Sequence, residues 1–212
     1  MQLSIKDEMK YFFIAFGILL LLLSLSVSNS RAESDVAISD VANNDVKGAQ
    51  TLNDLIRGAQ NGDSEAQFDL AIRYGDGEGI PQDYRQAAKW LLLAAQQGNS
   101  KAQYNLGHMY FVGDGVDCDY TEALKWYHAA AEQGDFRAQF QLGIIYSEGE
   151  IAPQDYVQSH KWFNLAAAIA EGSEKARRYR NNIAEKMSPL QIAEAQKLAR
   201  DWKAKTKILK SN

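Results

Sequence analysis

The 212-residue chain has a single cysteine, Cys118. One cysteine cannot close an internal disulfide, so the folded body is held by packing alone. No His or Lys stands next to Cys118 to activate its thiol. It reads as an incidental loop residue, with intermolecular pairing as the sharper alternative. Histidine is scarce too: of His108, His128 and His160, only His128 has a potential ligand one helical turn away, in Glu132. Two groups are too few to hold a metal, and each histidine is expected at the surface or in a groove. No serine is followed three residues later by lysine, and G-x-S-x-G is missing, so the usual serine-nucleophile signatures are not available. The pairs Gly77/Gly79 and Gly113/Gly115 lack the lysine of a phosphate loop. No catalytic, cofactor-binding or metal-binding residue is assigned.

Long apolar runs are equally rare. The charge-free run Tyr11 to Leu23 follows Lys6 and Lys10 and precedes the small-residue ending Ser30-Arg31-Ala32, the pattern of a secretory signal peptide over residues 1–32. The alternative is an uncleaved inner-membrane anchor over residues 11–27, which falls short of the roughly 20 residues that span a bilayer. A periplasmic or secreted location follows from cleavage. Residues 33–48 contain Asp35, Asp40 and Asp45 and little to bury, and read as a flexible acidic spacer.

What the chain has in abundance is self-similarity. Shifted by 36 residues, Ser100–Asp135 reproduces 64–99 upstream and, less faithfully, 136–172 downstream. Ala66/Ala102/Ala138, Gln67/Gln103/Gln139, Leu70/Leu106/Leu142 and Tyr74/Tyr110/Tyr146 align in the first half of the unit. Asp83/Asp119/Asp155, Tyr84/Tyr120/Tyr156, Lys89/Lys125/Lys161 and Trp90/Trp126/Trp162 align in the second. Ala102, Leu106 and Tyr110 fall four apart, and Ala123, Trp126, Ala130 and Ala131 keep the three-and-four spacing of an apolar helix face. Gly113-Asp114-Gly115 between them supplies positive backbone angles for a turn. Each unit is therefore a helix hairpin, and the recurring Trp and Tyr are expected in its core.

The pattern A-Q-x-x-L-G-x-x-Y-x-x-G-x-G-V-x-x-D-Y-x-x-A-x-K-W-x-x-x-A-A-x-x-G resembles the Sel-1-like repeat (SLR) family of tetratricopeptide-like helical repeat proteins, in its exported bacterial form. The resemblance implies an all-α fold, a right-handed α-solenoid of stacked antiparallel helix hairpins. It also implies adaptor proteins that hold other proteins together, and exported ones that mediate envelope or host contact. Penicillin binding is associated with cysteine-rich exported members, so an envelope hydrolase or β-lactamase-like activity is the enzymatic alternative, with neither the cysteines nor the serine signature here. Ile151 in place of the second turn glycine, Ser159 in place of alanine and Cys118 in place of Gln82 and Gln154 are the departures.

Outside the full repeats, residues 49–63 resemble the end of a second helix and read as an N-terminal half repeat that covers the first hairpin. Residues 173–206 read as two basic capping helices, the second opened by Ser188-Pro189, with Leu190, Ala193, Leu198 and Trp202 able to share a face, and 207–212 as a tail.

Charge is divided unevenly. Residues 33–172 hold 9 basic and 21 acidic groups, whereas 173–212 hold 11 basic and 4 acidic. The plain reading of the basic end is a solvated face, and the sharper one is docking to an anionic partner or anionic lipid. Nucleic acid is a poor partner for an exported acidic chain. Function is then sought in surface shape: a protein or peptide partner on the concave, first-helix side, where positions vary among units. Asp69, Ile72, Lys101, Asn105, His108, Phe111, Val112, Gln141, Ile144 and Ser147 are the candidate contacts, with Ile72, His108, Phe111, Val112 and Ile144 as a mildly apolar floor. The chain is expected to be a monomer or a weak oligomer.

Overall fold

The computed structural model describes residues 52–169 and 173–209, so the segments read from the sequence as a signal peptide (1–32) and an acidic spacer (33–48) lie outside the described residues. All regular structure among them is helical. Helix α1 covers 52–60. Three hairpins follow: α2 (Ser64–Asp76) with α3 (Tyr84–Gln96), α4 (Ser100–Val112) with α5 (Tyr120–Glu132), and α6 (Phe136–Glu148) with α7 (Tyr156–Ala166). Helices α8 (Ser173–Ala184) and α9 (Pro189–Leu209) end the chain. Each helix packs on the next from α2 to α8, which makes an all-α solenoid of helix hairpins.

The repeated aspartates explain where the helices start. The Asp83 side chain accepts from Arg85 N at 2.9 Å and Gln86 N at 3.0 Å, Asp119 caps α5 in the same way, and Asp155 caps α7 through Gln158 N at 3.0 Å. Asp63, Asn99 and Asp135 cap the first helices. Removing such a cap typically costs about 1 kcal/mol. The first helices stop at Gly77, Gly113 and Gly149, all with positive φ as the turn requires. The returning backbone is fastened by Asp83 N to Tyr74 O, Asp119 N to Tyr110 O and Asp155 N to Tyr146 O, each at 2.9 Å.

Two of the departures have clear local chemistry. Gln82 and Gln154 each donate a side-chain N–H to the carbonyl of residue 75 or 147, and the Cys118 thiol donates to the equivalent Phe111 carbonyl at 3.5 Å. Cys118 is exposed and keeps the turn bond in weakened form. The Ser159 hydroxyl, fully buried, donates to Gly143 O at 2.8 Å.

The repeated apolar letters form the core as read: Leu70, Leu106 and Leu142 are all 1% exposed or less. The tryptophans are graded, with Trp90 half-buried, Trp126 at 9% and Trp162 at 1%. Repetition does not tell the whole story of the interior, however. Tyr127 and Phe163 are completely buried, and they vary with the small residue they face: Ala71 and Leu91 in the first unit become Gly107 and Tyr127 in the second, and Gly143 and Phe163 in the third.

His160 is 3% exposed on α7, so it lies at the base of a cleft and not on an open surface. The seam of α9 differs from the one expected. Leu190 is 79% exposed and Ala193 is exposed, while Ile192, Ala195, Ala199 and Trp202 face the body. Ser188 and Gln191 close a reciprocal cap that sets the helix phase, and the inward stripe therefore begins at Ile192 and proceeds by three-and-four steps. Helix α9 lies on α7 and reaches the end of α5, where Trp202 Nε1 donates to Glu132 Oε2 at 2.8 Å.

Candidate functional site

The first helices α2, α4 and α6 are held in register by a ladder of buried glutamines. Gln67, Gln103 and Gln139 donate to Ala59 O, Ala95 O and Ala131 O at 3.0 to 3.1 Å. Each thus ties a first helix to the end of the helix before it. The first two also accept, from Gln97 and Gln133 at 2.7 Å. The equivalent of Gln97 and Gln133 in the third unit is Ile169, and Gln139 Oε1 is buried without a partner.

A second row runs along the outer side of the same helices. Phe68, Tyr104 and Phe140 recur at the fifth place of the unit, and a cation from the following unit lies over each ring. Lys101 stands 5.6 Å from the centre of Phe68, Arg137 4.4 Å from Tyr104 and Lys175 of α8 4.9 Å from Phe140. Arg137 is also forked onto Asp135, with Nη2 to Oδ2 at 2.6 Å, and this bond raises its already high pKa. Lys101 to Glu65, at 3.6 Å, is an exposed pair of little energetic weight. This row was missed in the sequence although the same 36-residue offset that aligns Leu70 and Leu106 aligns its aromatics.

Two clefts open on this face. The first, of about 290 Å³, is lined by Ile72, Gly75, Asp76, Asn105, His108 and Asp114, with Leu91 and Met109 beneath. The second, of about 320 Å³, is lined by Tyr104, Phe136, Arg137, Phe140, Gln141 and Lys175. The first carries carboxylates and no Lys or Arg, and the second carries Arg137 and Lys175 and no carboxylate. Their polarities are opposite.

The expected contact residues divide accordingly. Ile72, Asn105 and His108 come together in the first cleft, and Gln141 lies in the second. Asp69, Lys101 and Val112 are exposed beside them. Phe111 and Ile144 are instead half-buried against neighbouring clusters, and half-buried Ser147 turns its hydroxyl back onto its own helix. The Phe111 ring is half-buried, 5.7 Å from Tyr120 and 6.4 Å from Tyr127. Ile144 packs against the cluster around Phe163 and Ile183, and Ser147 Oγ donates to Ile144 O at 2.7 Å. The apolar floor is therefore narrower than the variable positions suggest.

Among the remaining titratable groups, burial pushes the Tyr127 phenol well above its usual range. His128 is half-buried with Nε2 3.0 Å from the Tyr146 hydroxyl, and burial followed by the Lys161 charge lowers its pKa. Among the described residues no group of three His, Cys, Asp or Glu side chains is placed to hold a metal, and no helix is long and apolar enough to cross a membrane.

The Sel1 repeat family model matches residues 64–99, 100–135 and 136–169. Sel1 repeat proteins are generally protein-interaction scaffolds, typically without enzymatic activity. Comparison with curated proteins gives no match. Among solved structures, the chain is similar to a Sel1 repeat protein from Oxalobacter formigenes, with 40% identity and a TM-score of 0.57 over 63% of this chain and 98% of that one. It is also similar to a protective antigen present in uropathogenic Escherichia coli strains that displays an SLR fold, with 43% identity and a TM-score of 0.55 over 56% of this chain. This chain covers only 26% of that antigen's length. Three consecutive matches that take in half of the residues, on a stack of hairpins like those of both relatives, place the chain in the Sel1 repeat family.

Proposed function

We propose that the chain is a non-enzymatic scaffold of the bacterial envelope, delivered by residues 1–32, that holds a peptide segment of a protein partner along its first-helix face. The observation that carries this reading is the pair of oppositely charged clefts on one row of helices. A segment with a basic side chain and an acidic side chain some distance apart meets Asp76 and Asp114 with the first and, with the second, Lys175 beside the Asp135-paired Arg137. The non-repeating Ile72, Asn105 and His108 give the first cleft its particular shape. Asp69, Lys101, Val112 and Gln141 extend the contact surface.

Crosslinking in intact cells followed by mass spectrometry identifies the partner. Asn105→Ala/His108→Ala is expected to lose that partner with the melting temperature unchanged, and Arg137→Gln/Lys175→Gln to weaken it in a salt-dependent manner. Capture that persists in both double variants contradicts the reading. A second reading, tethering to anionic lipid by the C-terminal helices, is favoured by the exposed Lys175, Arg177 and Arg178 on α8. Vesicle binding abolished by Arg177→Gln/Arg178→Gln supports it.

A further inference from the structure

Helices α8 and α9 both rest on α7 without lying side by side, and a cleft of about 420 Å³ separates them. Its base is His160 and Asn164 of α7, and its walls carry Arg180 and Asn181 of α8 and Gln196 and Arg200 of α9. None of these residues lines either cleft of the first-helix face.

The polar groups are arranged and incompletely matched. Arg180 is held by Asn164, with Nη1 to Oδ1 at 3.4 Å, and by Asn181, with Nε and Nη2 to Oδ1 at 3.3 and 3.1 Å. No ion pair among the described residues involves Arg180 or Arg200, and no carboxylate lines the cleft. His160 is 97% buried by its 3% exposure, and its Nδ1 has no hydrogen-bond partner. Burial and then the Arg180 charge depress its pKa, so the ring is neutral and adds no third cation. Two guanidiniums with no carboxylate among the residues that line the cleft, above a neutral His160 at its base, form the donor set of an oxyanion site.

We propose that this junction binds a phosphate group carried on an organic body. Two permanent positive charges match a phosphate better than a single carboxylate, and guanidinium N–H groups, once Arg180 turns from Asn181 and Asn164, fit its oxygens. The cleft is far larger than a bare phosphate, and Ala184 and Ile192 on its walls give the carrier an apolar seat. A soluble phosphate ester and a lipid headgroup share this chemistry.

The test uses the full-length chain. Glycerol phosphate is titrated while the His160 ring and Arg180 guanidinium signals are followed by NMR, and binding is measured in parallel to phosphatidylcholine vesicles with and without phosphatidylglycerol. A response to the ester assigns a soluble ligand, and a response to anionic vesicles alone assigns a headgroup. In either case Arg180→Gln/Arg200→Gln is expected to weaken binding by roughly tenfold or more. Arg85→Gln/Lys89→Gln, which removes two exposed charges of α3 outside the cleft, is expected to have a much smaller effect. All variants carry the same first 51 residues, so any binding by that segment cancels. No response to either probe overturns the proposal. So does displacement of the ester by an equal concentration of acetate, or equal losses in the two double variants. If Arg180→Gln lowers the melting temperature, the exposed Arg200→Gln supplies the same comparison alone.

Discussion

Gly143 and Phe163 are fitted to each other: a Cβ built on Gly143 would stand 2.6 Å from Phe163 Cε1, inside a fully buried ring contact. The first unit solves the same packing problem with Ala71 and Leu91. Gly143→Ala is therefore expected to destabilise by about 1–3 kcal/mol despite the better helix propensity of alanine. Gly143→Ala/Phe163→Leu rebuilds the pair of the first unit and is expected to recover most of the loss. Urea denaturation of the two single variants and the double variant measures the coupling, and additive effects would show that the pair is not matched.

The glutamine ladder makes unequal demands on its members. Gln103 both donates to Ala95 O and accepts from Gln133, whereas Gln139 only donates. Gln139→Met is expected to cost less than Gln103→Met by roughly one hydrogen bond, about 1 kcal/mol. Denaturation midpoints of the two variants compare them directly.

Phe111 and His108 share a helix and differ in what they touch. Phe111→Ala removes a half-buried ring from between Tyr120 and Tyr127 and is expected to lower stability by about 1–3 kcal/mol. His108→Ala alters only an exposed wall of the first cleft and is expected to leave the melting temperature within error.

Acid should first loosen the packing of α5 and α7, in the second and third hairpins. The ordinary histidine value is 6.5, and both His128 and His160 lie below it in the folded chain because of burial, helped by Lys161 and Arg180 respectively and opposed at His128 by Glu132. The unfolded chain takes up protons there before the folded chain does. Stability from these sites is thus complete above the unfolded value and is lost as pH falls below it. The melting temperature is expected to decline between about pH 7 and about pH 5, and His160→Asn is expected to make that slope shallower while lowering stability at neutral pH. An unchanged slope would assign the acid sensitivity to other groups.

The hairpins, their order and the aliphatic core were legible because each rests on letters that recur at one offset, as Leu70, Leu106 and Leu142 do. Among the non-recurring letters of the first helices His108 and Val112 are exposed, whereas Asn105, Phe111 and Ile144 are half-buried, Phe111 and Ile144 against neighbouring apolar clusters. Tyr127 and Phe163 were hidden for a related reason. Their size is balanced by a partner twenty residues earlier, and periodicity records the apolar class of a position but not its volume. The seam of α9 was misread because helix phase was set by the Ser188–Gln191 cap, which a list of apolar residues does not contain. The burial of His160 was invisible because it depends on α8 and α9 folding over α7, a long-range event with no local signature.

Because α9 turns back across α7 to anchor Trp202 at Glu132, it takes up part of the α7 surface on which a further hairpin would pack. A further hairpin could pack on that part of α7 only by displacing α9 from it. Lengthening of such an array by tandem duplication that keeps α9 in place must therefore insert its new units upstream of Ser173, where one hairpin still offers the next the surface it needs.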